Sequence, residues 1–119
     1  MTVIDTSLLA DLIGESKAID ENVCMISIVE YPPILEYPRF KGKVLLAELA
    51  DFELALVIQR KLMERGRMKP AADLIIAATC INHGETLLTA DADFEEIAKK
   101  LFGRFGSDEK SFQLERDSL

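Results

Sequence analysis

One histidine and two cysteines are all the imidazole and thiol metal ligands that 119 residues provide. His83, Cys24 and Cys80 are scattered and lack metal-ligand spacing, which excludes a zinc centre. The cysteines stand in apolar surroundings and read as buried free thiols, not as a disulfide framework. His83 falls near a helix C-terminus, where its partial charge suits the helix dipole, and takes no catalytic assignment. No window approaches the roughly 18 uninterrupted apolar residues of a membrane span. The N-terminus enters Thr2-Val3-Ile4-Asp5 directly, without the basic region and apolar stretch of a signal peptide. A cytoplasmic location without membrane contact is the expectation.

What is present suits one compact domain, 1–119. Hydrophobic residues make up 49% of the chain, enough for a core. The formal net charge is −7, and a uniformly acidic surface would repel nucleic acid. The bases are not uniform, however. Arg60, Lys61, Arg65, Arg67 and Lys69 are opposed only by Glu64, and Arg39, Lys41 and Lys43 form a second group. Such runs are most often solvated faces, but they leave a nucleic-acid substrate open.

Along the chain, Thr2–Asp5 reads as a short buried strand. Thr6 and Ser7 can cap a following helix with Leu8, Leu9, Leu12 and Ile13 at helical spacing. Asn22–Ile26 is β-like, and Ser27–Glu30 fits the first turn of a helix as well as a strand. Pro32 and Pro33 forbid a long undisturbed helix there. Lys43–Ala47 is ambiguous. A helix is predicted from about Asp51 to Arg65, stopped by Gly66. Another is predicted from Pro70 to about Asn82, apolar almost all round and therefore sandwiched. Glu85–Thr89 is a strand, and Asp93 opens a helix carrying Phe94, Ile97 and Leu101. The tail 103–119 is polar, with room for a short strand, fraying or partner docking. Apolar strands alternating with helices predict an α/β fold with a mostly parallel sheet covered on both faces. The cleft of such a sheet lies at the carboxyl ends of its strands.

Acidic residues stand at the element ends. They are Asp5, Glu30, Asp73, Asp91 and Asp93, with Glu30 and Asp73 read into first turns of helices. A carboxylate beside a buried run is costly unless neutralised. Several of them, far apart in sequence, suggest one shared cation. All-oxygen ligands suit Mg²⁺ or Mn²⁺, as one ion or as two about 3.5–4 Å apart. Such a cation lowers the pKa of a bound water, so hydrolysis would need neither histidine nor a covalent nucleophile.

Segments 3–7, 27–31, 72–78 and 87–94 together resemble the PIN-domain ribonucleases, and within them the VapC-type toxins of toxin–antitoxin pairs. The resemblance rests on Val3-Ile4-Asp5-Thr6-Ser7, Ser27-Ile28-Val29-Glu30-Tyr31, Ala72-Asp73-Leu74-Ile75-Ile76-Ala77-Ala78 and Leu87-Leu88-Thr89-Ala90-Asp91-Ala92-Asp93-Phe94. It implies a three-layer α/β/α sandwich and Mg²⁺-dependent cleavage of single-stranded RNA. A small antitoxin partner and a homodimer are implied as well. By position it implies metal-site roles for Asp5, Glu30, Asp73 and Asp91, with Asp93 in support through water or an indirect contact. Thr6, Ser27 and Thr89 match small hydroxyl positions near these acids. Pro32-Pro33 and the tail after Gly103 depart from the family pattern. Two other readings fit parts of the chain. One is a receiver-like phosphoacceptor domain, which would want adjacent acids after the first strand. The other is a PIN fold that binds without cutting.

Overall fold

The computed structural model of the chain describes residues 1–97 and the backbone of 113–116. The strands are β1 (Thr2–Ile4), β2 (Val23–Cys24), β3 (Val44–Leu45), β4 (Thr86–Thr89) and β5 (Gln113–Arg116). The helices are α1 (Thr6–Gly14), α2 (Met25–Glu30), α3 (Leu49–Met63) and α4 (Ala71–His83), with a 3-10 turn at Pro32–Glu36. Residues 93–97 are also helical.

The strands pair in parallel as β1-β4-β5 and as β2-β3. Asn22 joins the two groups: Ile4 N–H donates to its carbonyl and its N–H donates to the Thr2 carbonyl, both at 2.9 Å. The sheet therefore runs β3-β2-β1-β4-β5. The chain leaves β1 toward β2 on one side and returns as β4 on the other, so the order reverses between β1 and β4. Crevices for ligands form at that reversal, beyond the carboxyl ends of the strands.

Side-chain alternation gives the sheet two apolar faces. On one face Val3, Cys24 and Leu87 pack with α3, α4, Phe94 and Ile97. On the other, Ile4, Val23 and Leu88 pack with Leu8, Leu9, Ile28 and Ile34. Helices on both faces make the expected three-layer α/β/α sandwich. Residues 74–81 of α4 are all buried, which is why that helix carries no polar face. Cys24 and Cys80 are free and buried. Burial pushes the Cys24 thiol up to about 12, so it is inert.

Three local expectations change. Glu30 is the last residue of α2, not part of a first turn. The β-like reading of 22–26 gives way after Cys24, because α2 starts at Met25. Pro70 is the N-cap of α4, one position earlier than expected. Pro32 and Pro33 end α2 and start the 3-10 turn, where their fixed φ fits and their missing N–H costs nothing. The tail 103–119 contributes β5, in register with β4 from Thr86↔Gln113 to Thr89↔Arg116. Residues 103–112 and 117–119 lie outside those described, as does Leu101.

One close approach fixes β3 beside β2. A Cβ added to Gly42 would lie 1.9 Å from the Glu21 carbonyl oxygen and 2.6 Å from its carbon. The adjacent Lys43 N–H donates to Asn22 Oδ1 at 2.9 Å, and Val23 N–H donates to the Lys43 carbonyl at 2.9 Å.

Candidate metal centre

Asp5 follows β1 directly and is the N-cap of α1, accepting Leu8 N–H on Oδ1 at 2.9 Å. Its other oxygen accepts the Thr89 hydroxyl, a buried contact. Thr89 ends β4, so this bond ties the carboxyl ends of the two strands at the reversal point. Asp91 N–H donates back to Thr89 Oγ1 at 2.9 Å, and Asp91 Oδ1 accepts Asp93 N–H at 2.9 Å. Asp91 thus starts the helical segment 93–97 while keeping its second oxygen available.

Asp73 stands in the first turn of α4. Ligand atoms of Asp73, Asp91 and Asp93 all lie within 4.8 Å of one another, and all three residues are half-buried. Asp5 and Glu30 stand outside this tight group. Asp5 is only 2% exposed, whereas Glu30 is exposed and accepts the Thr6 hydroxyl on Oε1 at 2.6 Å. Thr6 Oγ1 is also 2.9 Å from Ser27 Oγ. The three hydroxyl residues expected near the acids therefore bond to Asp5 and Glu30, or to each other.

The electrostatics link all five acids. Burial pushes Asp73 up to about 6, and the charges of Asp91, Glu30, Asp93 and Asp5 push the same way. Burial also raises Asp5, with Asp91 adding to it, against the bonds from Thr89 and Leu8. The donor set is carboxylate oxygen, crowded and short of positive charge, which suits a hard divalent cation. Ligand atoms around one Mg²⁺ sit about 3–4 Å apart, given bond lengths of about 2.1 Å. Atoms that all lie within 4.8 Å of one another are close enough to share one such ion.

Lys69 had no assignment beyond the basic run, yet its ammonium is 3.0 Å from Asp93 Oδ1. Arg67 is bound to Glu96 at 3.0 Å, so part of the basic run is engaged within the fold. His83, at the far end of α4 from Asp73, has Nδ1 2.7 Å from the Thr79 carbonyl.

Residues 43–100 match the family model of the PIN domain. A chain of VapBC2 from Rickettsia felis, solved bound to a DNA fragment from their promoter, superposes with a TM-score of 0.71 over 98% of each chain, at 14% identity. The chain has the PIN fold. The same PIN fold is seen in DNA-bound VapBC from Salmonella typhimurium, with a TM-score of 0.70, 15% identity, and 97% and 96% of the two chains covered. It is seen again in FitAcB from Neisseria gonorrhoeae, with a TM-score of 0.66, 18% identity, and 97% and 96% covered. No curated protein matches the sequence. The span matched by the PIN family model contains Asp73, Asp91 and Asp93; Asp5 and Glu30 precede it.

The raised Asp73 predicts how the metal-free PIN fold responds to pH. Its folded pKa of about 6 exceeds the ordinary aspartate value of 3.8, so the folded state holds this proton more tightly. The resulting stability is present in full below 3.8 and is lost as pH rises through about 6. Urea midpoints in EDTA should fall between pH 5 and pH 7.5, and fall less in Asp73→Asn. A wild-type midpoint that drops no more than the variant's would contradict this.

Proposed function

We propose that the chain is a VapC-type endoribonuclease that hydrolyses single-stranded RNA with Mg²⁺ or Mn²⁺. The observation that carries the reading is the convergence of Asp73, Asp91 and Asp93, with Asp5 and Glu30 in electrostatic reach, at the strand-order reversal. A binding module has no use for carboxylates that push one member up to about 6. Asp73 and Asp91 would hold the ion directly, each with an oxygen able to face it. Asp5, gripped by the Leu8 N–H and the Thr89 hydroxyl, sets the floor of the site. Glu30, steered by Thr6, stands at its exposed rim. A bound Mg²⁺ would supply charge stabilisation at a phosphoryl oxygen and would lower the pKa of a water so that it can attack as hydroxide. Exposed Arg60 and Arg65 offer phosphate contacts beyond the site.

The test is cleavage of a single-stranded RNA by the purified protein in Mg²⁺ and in EDTA, beside Asp5→Asn and Asp73→Asn. Equal activity in all three proteins would remove the assigned site. Mg²⁺ titration separates the cutting enzyme from the silent PIN module, since the latter has no reason to bind the ion.

The reading includes two partners. A toxin–antitoxin complex from Klebsiella pneumoniae shares this fold, so a small antitoxin is proposed here as well. A homodimer is proposed from α3, where Leu49, Phe52 and Leu56 are 75%, 49% and 58% exposed along one face. Phe52→Glu should convert the dimer to a monomer in sedimentation equilibrium and leave the far-ultraviolet circular dichroism unchanged. A variant sedimenting like the wild type would place the interface elsewhere. No helix among the described residues is long and apolar enough to cross a membrane.

A further inference from the structure

Lys69 lies between α3 and α4, and Gln59 clamps its backbone from both sides. The Gln59 amide donates to the Lys69 carbonyl at 2.7 Å, and its oxygen accepts Lys69 N–H at 3.2 Å. The side chain is delivered from this fixed point to the edge of the acidic cluster and is only 13% exposed. Its ammonium is 3.0 Å from Asp93 Oδ1 and 2.9 Å from Glu96 Oε1. Arg67 Nε holds the other Glu96 oxygen at 3.0 Å. Glu96 therefore has a second cation, and the distinctive task of Lys69 is at Asp93.

The ammonium beside Asp93 also bears on how many ions the cluster can hold. A second ion about 3.5–4 Å from the first would have to share Asp93 with a fixed ammonium. The helix start adds to this, because Asp91 is already oriented by the Asp93 N–H.

We propose that Lys69 is a positioning residue: it ties down Asp93, keeps it from direct coordination, and limits the centre to a single divalent cation held by Asp73 and Asp91. This rests on the reading of the cluster as a divalent-metal site. It makes Lys69 a stand-in for the second metal, fixed in place by Gln59.

The experiment is Mn²⁺ titration of the metal-free full chain, by calorimetry and by electron paramagnetic resonance of the free ion. Wild type should bind one ion. Lys69→Gln should bind a second, or bind the first about tenfold more tightly, because a fixed positive charge has been removed. A merely structural role would weaken binding instead. Lys69→Arg should restore the one-ion behaviour, and Arg67→Gln should not depart from it. One ion at unchanged or weaker affinity in Lys69→Gln overturns the proposal. Two ions in wild type overturn it too, while leaving the nuclease reading intact. No ion in wild type overturns both. Should Lys69→Gln fail to fold, Asp93→Asn decides: one ion within about threefold of wild-type affinity is expected, and loss of binding overturns the assignment.

Discussion

Asp73→Asn should lower RNA cleavage by about 10²- to 10³-fold or more, the usual cost of removing a group aimed at developing charge, and should raise the melting temperature of the metal-free protein. Both effects have one cause. Asp73 is pushed up to about 6 by burial and by four neighbouring acids. In the apo protein near neutral pH, its negative charge opposes folding. Replacing it with a neutral group of the same shape should recover roughly 1–2 kcal/mol, after allowing for its partial exposure. For a domain of this size that is about 4–8 °C. With Mg²⁺ present the order should invert, because only wild type gains the linkage stabilisation, about 2.7 kcal/mol at an ion concentration 100 times Kd. Calorimetric scans of both proteins in EDTA and in Mg²⁺, with cleavage assays, test the set. A cleaving variant, or one no more stable than wild type in EDTA, contradicts the assignment. Stability surrendered at a working site is the usual reason that neutralising it stabilises the fold.

Gly42→Ala should be nearly as damaging to the fold as Asp73→Asn is to activity. The added Cβ would meet the Glu21 carbonyl oxygen at 1.9 Å and its carbon at 2.6 Å. Backbone cannot swing aside as a side chain can. Relief requires β3 to move from β2, at the expense of the bonds from Lys43 N–H to Asn22 Oδ1 and from Val23 N–H to the Lys43 carbonyl, both 2.9 Å. A loss of about 4 kcal/mol or more is expected, a large part of the stability of a single domain. Gly14→Ala is the contrasting control. It lies within α1 with nothing near its added Cβ, so it should be neutral or stabilising by about 0.5–1 kcal/mol. Urea denaturation of the three proteins separates the cases, and a Gly42→Ala midpoint near wild type would show the contact to be soft.

The elements legible in the sequence are those whose local pattern and tertiary role agree. The apolar run of α4 and the strands ending at Asp5 and Thr89 fall into that group. Asp5, Thr89 and Asp91 could be placed because a parallel sheet fixes where strand ends lie. β2 and β3 are two residues each, too short for a period to register, and they exist because their neighbours supply the ladder. Glu30 reads into a first turn but ends α2, because a helix of six residues is too short for its period to fix where it starts. Lys69 reads as one of its basic neighbours, since nothing local signals that Gln59, ten residues earlier, holds its backbone or that its ammonium meets Asp93.

The bond from Thr89 to Asp5 spans 84 residues, and the acids it organises come from the first few residues and from beyond residue 90. Asp5 therefore acquires its partners only when β4 and the residues after it join the sheet. A prematurely terminated product ending before β4 carries neither Asp91 nor Asp93, and so no complete set of ligands. Competence of the proposed site is therefore a property of the assembled sheet and of no continuous stretch of chain before β4.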